Sequence, residues 1–116
     1  MEIRTIREII RLLKDATSKS KIKWEDIGGG VFSTQIDGCK IEISSNYNGY
    51  NNDLYANMTF YNVDGVQFDT VLFYKAFEED MYDEINELYD IISDRYYRKK
   101  ESEKIIIAGL NRLIDK

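Results

Sequence analysis

Val31-Phe32-Ser33-Thr34-Gln35-Ile36-Asp37-Gly38-Cys39-Lys40-Ile41-Glu42-Ile43 reads as two strands and the turn that joins them. Asp-Gly set between Ile36 and Cys39 is a strong two-residue hairpin signal, because a type I′ turn needs the positive φ that Asp and Gly tolerate. Cys39, Ile41 and Ile43 then fall on one face, since side chains alternate along a strand. Downstream, Leu54, Ala56, Met58 and Phe60 keep the same period. Asn62-Val63-Asp64-Gly65 gives a second tight turn, and Val66, Phe68, Thr70, Leu72 and Tyr74 a final strand. Upstream, Gly28-Gly29-Gly30 is a flexible break, and Ile22 and Trp24 alternate with lysines as the start of a first strand. These segments predict an antiparallel meander of four or five strands with one covered face.

The period changes at both ends. Ile3, Ile6, Ile9, Ile10, Leu13 and Ala16 recur at helical spacing, which predicts an amphipathic helix over roughly residues 2–17. Phe77, Met81, Ile85, Leu88, Tyr89, Ile92 and Tyr96 form one stripe of a long helix, acidic in its first turn and basic in its last, as the macrodipole favours. Ser102 followed by Glu103 predicts a separate short last helix, apolar over a wide arc through Ile105–Ile107, Leu110, Leu113 and Ile114. The fold expected is α+β: an N-terminal helix, the meander, then a long and a short helix packed on one sheet face, in a single domain over residues 1–116.

Composition narrows the chemistry. The 116 residues include no histidine, no proline and one cysteine, Cys39. A Cys–His nucleophile and a His-based serine triad are therefore ruled out. One thiol forms no intramolecular disulfide, and Cys39, in phase with Ile41 and Ile43, is expected as a small buried hydrophobe. No stretch has the pattern of a secretory signal or the length of a membrane span, so a cytoplasmic protein without membrane contact is expected. Nothing in the spacing singles out a carboxylate pair for hydrolysis, and no cofactor or metal motif is present; the chain reads as a non-enzyme. Gly28-Gly29-Gly30 lacks the Lys-Ser/Thr and the following helix of a phosphate-binding loop.

Net charge is −5, unevenly placed. Residues 1–23 carry seven basic against three acidic side chains, residues 24–76 two against seven, and residues 77–116 seven against eleven. An acidic body disfavours direct nucleic-acid binding, which is driven by counterion release at basic surfaces.

Three groups of residues are candidates for binding. Glu79, Asp80, Asp83, Glu87, Asp90 and Asp94 fall within about a 100° arc of the long helix, opposite its apolar seam. They are a solvated face or a docking surface for a basic partner protein, and such a surface speeds association by steering. The segment Ser45–Asp53 is long for a hairpin connection, and Tyr47, Asn48, Tyr50, Asn51 and neighbouring Tyr55 have a recognition-loop composition. Arg4, Arg7 and Arg11 on the first helix, with Arg95 and Arg98, are candidates to grip an anion; the plainer reading is solvent-facing charge that offsets the acidic stripe within a dimer.

Lys21-Ile22-Lys23-Trp24-Glu25, the Gly-rich segment after it, Phe32-Ser33-Thr34, the two Asp-Gly turns and the Leu/Tyr-containing helix together resemble the small uncharacterised α/β proteins of bacterial and prophage genomes. The resemblance covers most of the chain at the level of pattern. It implies a setting of accessory genes and phage–host conflict, and it carries over no functional residue. Two functions compete on this reading. One is an acidic inhibitor or immunity-type protein docking on a basic site of its target. The other is a protein that sequesters a small nucleotide-like ligand with the Tyr/Asn loop and the basic residues, at a subunit interface if the chain forms a homo-oligomer.

Overall fold

The computed structural model describes residues 1–47 and 53–115, with Tyr47 described by its backbone alone. Its elements are α1 (Ile3–Ser18), β1 (Glu25–Gly28), β2 (Val31–Ile36), β3 (Cys39–Tyr47), β4 (Leu54–Tyr61), β5 (Gln67–Tyr74) and α2 (Glu79–Ile114). The five strands form one antiparallel sheet in the order β1-β2-β3-β4-β5, the meander expected from the alternation.

Local chemistry sets each turn. Asp37 and Gly38 have φ of 48° and 86°, both positive as a type I′ turn requires, and Ile36 pairs with Cys39. Gly29 and Gly30 do the same between β1 and β2, with φ of 63° and 76°, so the glycine run is a two-residue hairpin turn. At the turn between β4 and β5, Asn62 Oδ1 accepts hydrogen bonds from the amides of Asp64 and Val66, both at 3.0 Å, an Asx-type arrangement.

Register makes the two faces different. Phe32, Ile43, Met58 and Val71 stand in one inward row, and Ile41 and Phe60 in the next. Ile6 and Ile10 of α1 and Ile85, Leu88 and Ile92 of α2 close over them in a single core. The opposite face carries Ser33, Glu42, Thr59 and Thr70 across one row and Ser44 and Asn57 in another. Val31 and Leu72 end that second row and Tyr55 and Tyr74 pair further along, so the uncovered face mixes polar, aliphatic and aromatic side chains. Thr34 Oγ1 donates to the Lys23 carbonyl at 2.7 Å and Trp24 Nε1 donates to Thr17 Oγ1 at 3.0 Å, so the 21–24 segment is pinned beneath the end of α1.

Five details differ from the sequence reading. The alternation through Val66, Phe68, Thr70, Leu72 and Tyr74 has the opposite phase: Val71 and Phe73 are the buried side chains of β5, and Val66, Phe68 and Leu72 are exposed, because the register sets Val71 beside the inward Met58. The separate short last helix does not form; α2 runs unbroken through 36 residues. Lys99-Lys100-Glu101-Ser102-Glu103 holds neither proline nor glycine, and nothing forces Ser102 out of helical φ/ψ to act as a cap. Phe77 is not on the buried seam: it lies in the turn after β5 and is 79% exposed. Ile22 and Trp24 pack on the core just ahead of β1, which starts at Glu25. Cys39 is half-buried where a buried side chain was expected, because it lies at the turn end of the sheet.

Candidate functional site

The seam of α2 explains its outer face. Met81, Tyr82, Ile85, Leu88 and Ile92 are buried, which turns Glu79, Asp80, Glu87, Asp90 and Asp94 outward into solvent, with Asp83 half-buried beside them. These six carboxylates span about 22 Å of helix at 1.5 Å per residue. Lys14 Nζ lies 2.7 Å from Glu87 Oε2, and Arg98 Nε 3.2 Å from Asp94 Oδ2 one turn along. Asn86 Nδ2 donates to Asp90 Oδ2 at 3.4 Å. Glu79, Asp80 and Asp83 have no ion-pair partner among the described residues. The uncompensated charge therefore gathers at the start of the helix, where the macrodipole favours it.

The basic residues do not converge. Arg7, Arg11 and Lys14 line a groove of about 750 Å³ between α1 and α2, together with Asp15 and Glu84, while Arg4 is exposed further along α1. Arg7 Nε donates to Met81 Sδ at 3.3 Å and stands 3.6 Å from Glu84 Oε2, a buried oxygen that accepts no hydrogen bond among the described residues. Acidic and basic helix faces thus meet inside one chain, across the α1–α2 seam. Arg95 donates to Ser20 Oγ and to the Ser18 carbonyl, each at 2.7 Å, and ties α2 to the end of α1. It also borders a second groove of about 680 Å³ with Trp24, Tyr96, Lys23, Lys99 and Lys100, in which Glu25, Asp26 and Glu103 supply the opposite sign. Arg98 is engaged with Asp94.

Of the predicted recognition loop, Asn48, Tyr50 and Asn51 lie outside the described residues, and Tyr47 closes β3 with its backbone paired to Leu54. Tyr55 is on the outward face of β4, and its ring centroid is 6.0 Å from that of Tyr74 on β5. Tyr74 in turn meets Phe77 edge-on at 6.3 Å. A three-ring patch therefore leads into the acidic start of α2. Tyr74 belongs to the alternation that the sequence reading followed along β5, and only the strand's register, with Val71 and Phe73 inward, turns it outward. Phe77 was obscured because it falls four residues before Met81, in phase with the seam.

Tyr89 connects the helix to the first hairpin. Its hydroxyl donates to the Gly30 carbonyl at 3.0 Å, and its ring lies 5.6 Å from Phe32. Burial, then the nearby Tyr97, Asp26 and Asp90, raises its pKa above the ordinary tyrosine value. An apolar groove of about 460 Å³ opens on the other side of α1, with Ile9, Leu12, Ile36, Cys39 and Phe68 among its walls.

Among the described residues no cluster of three or more His, Cys, Asp or Glu side chains is arranged to hold a metal, and no helix is long and apolar enough to cross a membrane. No protein-family model, curated protein or solved structure matches the chain. Function is accordingly read from the chain's own geometry.

Proposed function

We propose that this chain is a non-catalytic binding protein that docks the start of α2 on a basic site of a partner protein. One observation carries the reading. The exposed Phe77, set edge-on against Tyr74, stands directly ahead of Glu79, Asp80 and Asp83, carboxylates with no cation of their own among the described residues. Aromatic anchors beside charge are the composition of interface hot spots, and like-signed carboxylates steer a basic partner into register. The buried seam fixes the spacing of the carboxylates before contact, which lowers the ordering cost of binding. The lack of histidine supports a role without catalysis. In the setting implied by the sequence resemblance, this is the action of an inhibitor or immunity-type protein.

A second reading has its own support. The groove between Trp24 and Tyr96 brings aromatic walls and four cations together, an arrangement suited to a small nucleotide-like anion. The carboxylates that share the groove weigh against it.

Native mass spectrometry on protein gently purified from host lysate separates the two. The expected result is a co-purifying basic protein that salt dissociates and that is lost from the Asp80→Lys/Asp83→Lys double variant and from Phe77→Ala. A protein retained by both variants, or a small-molecule adduct in its place, overturns the docking reading.

A further inference from the structure

The two edges of the sheet are finished differently. β1 has four residues, shifts register after Asp26 and ends in the glycine turn, devices that blunt an open edge. β5 has eight residues, and among the described residues β4 is its one neighbour. Its outer edge can be followed group by group. The Lys75 amide donates to the Leu54 carbonyl at 2.9 Å, and these two residues stand opposite each other in the register that pairs Tyr55 with Tyr74. Hydrogen-bonded and non-hydrogen-bonded pairs alternate along an antiparallel ladder. Val71, Phe73 and Lys75 therefore bond to β4, and Thr70, Leu72 and Tyr74 turn their amides and carbonyls away from it. Two of these outward groups are engaged: the Thr70 amide donates to Asp69 Oδ1 at 2.8 Å, and the Tyr74 carbonyl accepts from the amides of Phe77 and Glu78. Among the described residues the Thr70 carbonyl, both groups of Leu72 and the Tyr74 amide are open.

We propose that β5 pairs antiparallel with β5 of a second copy about a two-fold axis at Leu72, which joins the two sheets edge to edge. The pattern of open and engaged groups selects this occupant and this register. With Leu72 opposite itself, the Leu72 amide and carbonyl of one copy satisfy those of the other. The Tyr74 amide of each copy then meets the Thr70 carbonyl of its neighbour. The engaged Thr70 amide and the engaged Tyr74 carbonyl fall opposite each other, so neither faces an open group. Moving the axis by one residue breaks the match. With Val71 opposite itself the Leu72 carbonyl faces the engaged Thr70 amide, and with Phe73 opposite itself the Leu72 amide faces the engaged Tyr74 carbonyl. Side chains select the same register. On the helix-covered face it sets Val71 beside Phe73 of the second copy, and Asp69 beside Lys75 of the second copy. Lys75 is exposed, has no carboxylate partner among the described residues, and lies over the Tyr82 ring on that face. Asp69 is on the same face, where it holds the amino group of Met1. Opposite charges directly across a strand pair are favourable, and the symmetry makes each contact twice, as an isologous interface requires.

Light scattering and residue-resolved amide hydrogen exchange on the same samples, from about 5 to 500 μM, give the test. The purified chain alone is measured, so the outcome does not depend on what α2 docks. The wild type is expected to approach twice 13.6 kDa as concentration rises. Over the same range the Leu72 and Tyr74 amides, open in the single copy, gain several-fold protection, while those of Val71 and Phe73, bonded to β4, are protected throughout. Lys75→Glu is expected to weaken association at least several-fold, and Asp69→Lys/Lys75→Glu to recover it. Residues 69 and 75 lie about 20 Å apart along one strand, so recovery is not explained by a contact within the chain. A wild type still monomeric at the highest concentration, a dimer whose Leu72 and Tyr74 amides exchange freely, or a combined variant no better associated than Lys75→Glu each overturns the proposal.

Discussion

The two halves of α2 are one helix with two fates. From Glu79 to Tyr96 the apolar stripe is buried against β3, β4 and β5 and the first hairpin; from Tyr97 onward the same stripe stands in water. Leu88 is fully buried and Leu110 is 54% exposed, yet both belong to the same seam of the same helix. The comparison shows that amphipathic periodicity specifies which face of a helix seeks cover and says nothing of whether the chain itself supplies that cover. Here the sheet is only five strands wide, and it ends at β1 before the helix does.

The sharpest way to break this comparison is to make one truncation in each half. Leu88→Ala is expected to cost about 2–5 kcal/mol, because it leaves a cavity in a packed core. Leu110→Ala is expected to stay within about 0.5 kcal/mol, the range of exposed positions. Urea titration of both variants reads the difference. Equal costs would mean that the exposed half folds back on the body.

Tyr89 tests where the docked half ends. Tyr89→Phe removes the hydroxyl that holds Gly30 and is expected to cost about 0.5–1.5 kcal/mol. Its pH signature follows from the raised pKa. The neutral phenol is favoured in the folded state, so its contribution is full below the unfolded value near 10 and is lost as pH rises through the folded value. The wild type should therefore lose thermal midpoint between about pH 9 and 11 more steeply than Tyr89→Phe. Parallel slopes would remove Tyr89 as the cause.

The smallest effects concern the ion pairs. Lys14–Glu87 joins α1 to the docked half, whereas Arg98–Asp94 is a pair within one helix at the point where the exposed half begins. Lys14→Met is expected to cost about 0.2–1 kcal/mol and Arg98→Met about 0.3–0.5 kcal/mol, both diminished by salt. A larger loss for Arg98→Met, by thermal denaturation in low salt, would give that pair more than a local role.

Particular residues show how far the sequence could be read. Asp37-Gly38 and the alternation on either side of it were enough to place β2 and β3, because turn type and pleat are local. Gly28-Gly29-Gly30 carried the same kind of signal, yet only the pairing of Glu25 with Ser33 revealed it as a turn. Ser102 and Glu103 imitate a helix start, and the error there is one of continuity: a capping signal acts only where the backbone already departs from the helix. Phe77 shares the seam's phase and was separated from it only by the turn after β5, in which the amides of Phe77 and Glu78 both bond to the Tyr74 carbonyl.

The sequence by itself determined the α+β class, the antiparallel meander, the acidic face of α2 and its apolar seam, since each follows from residue spacing along one element. Only the tertiary structure decided that Arg7 and Lys14 of α1 stand on Glu84 and Glu87, and that Arg95 fastens α2 to the end of α1. It also decided that Phe77 joins Tyr74 and Tyr55, and that the last five turns of α2 stand clear of the sheet. Those outcomes depend on where elements distant in sequence come to rest, and periodicity within an element carries no information about that.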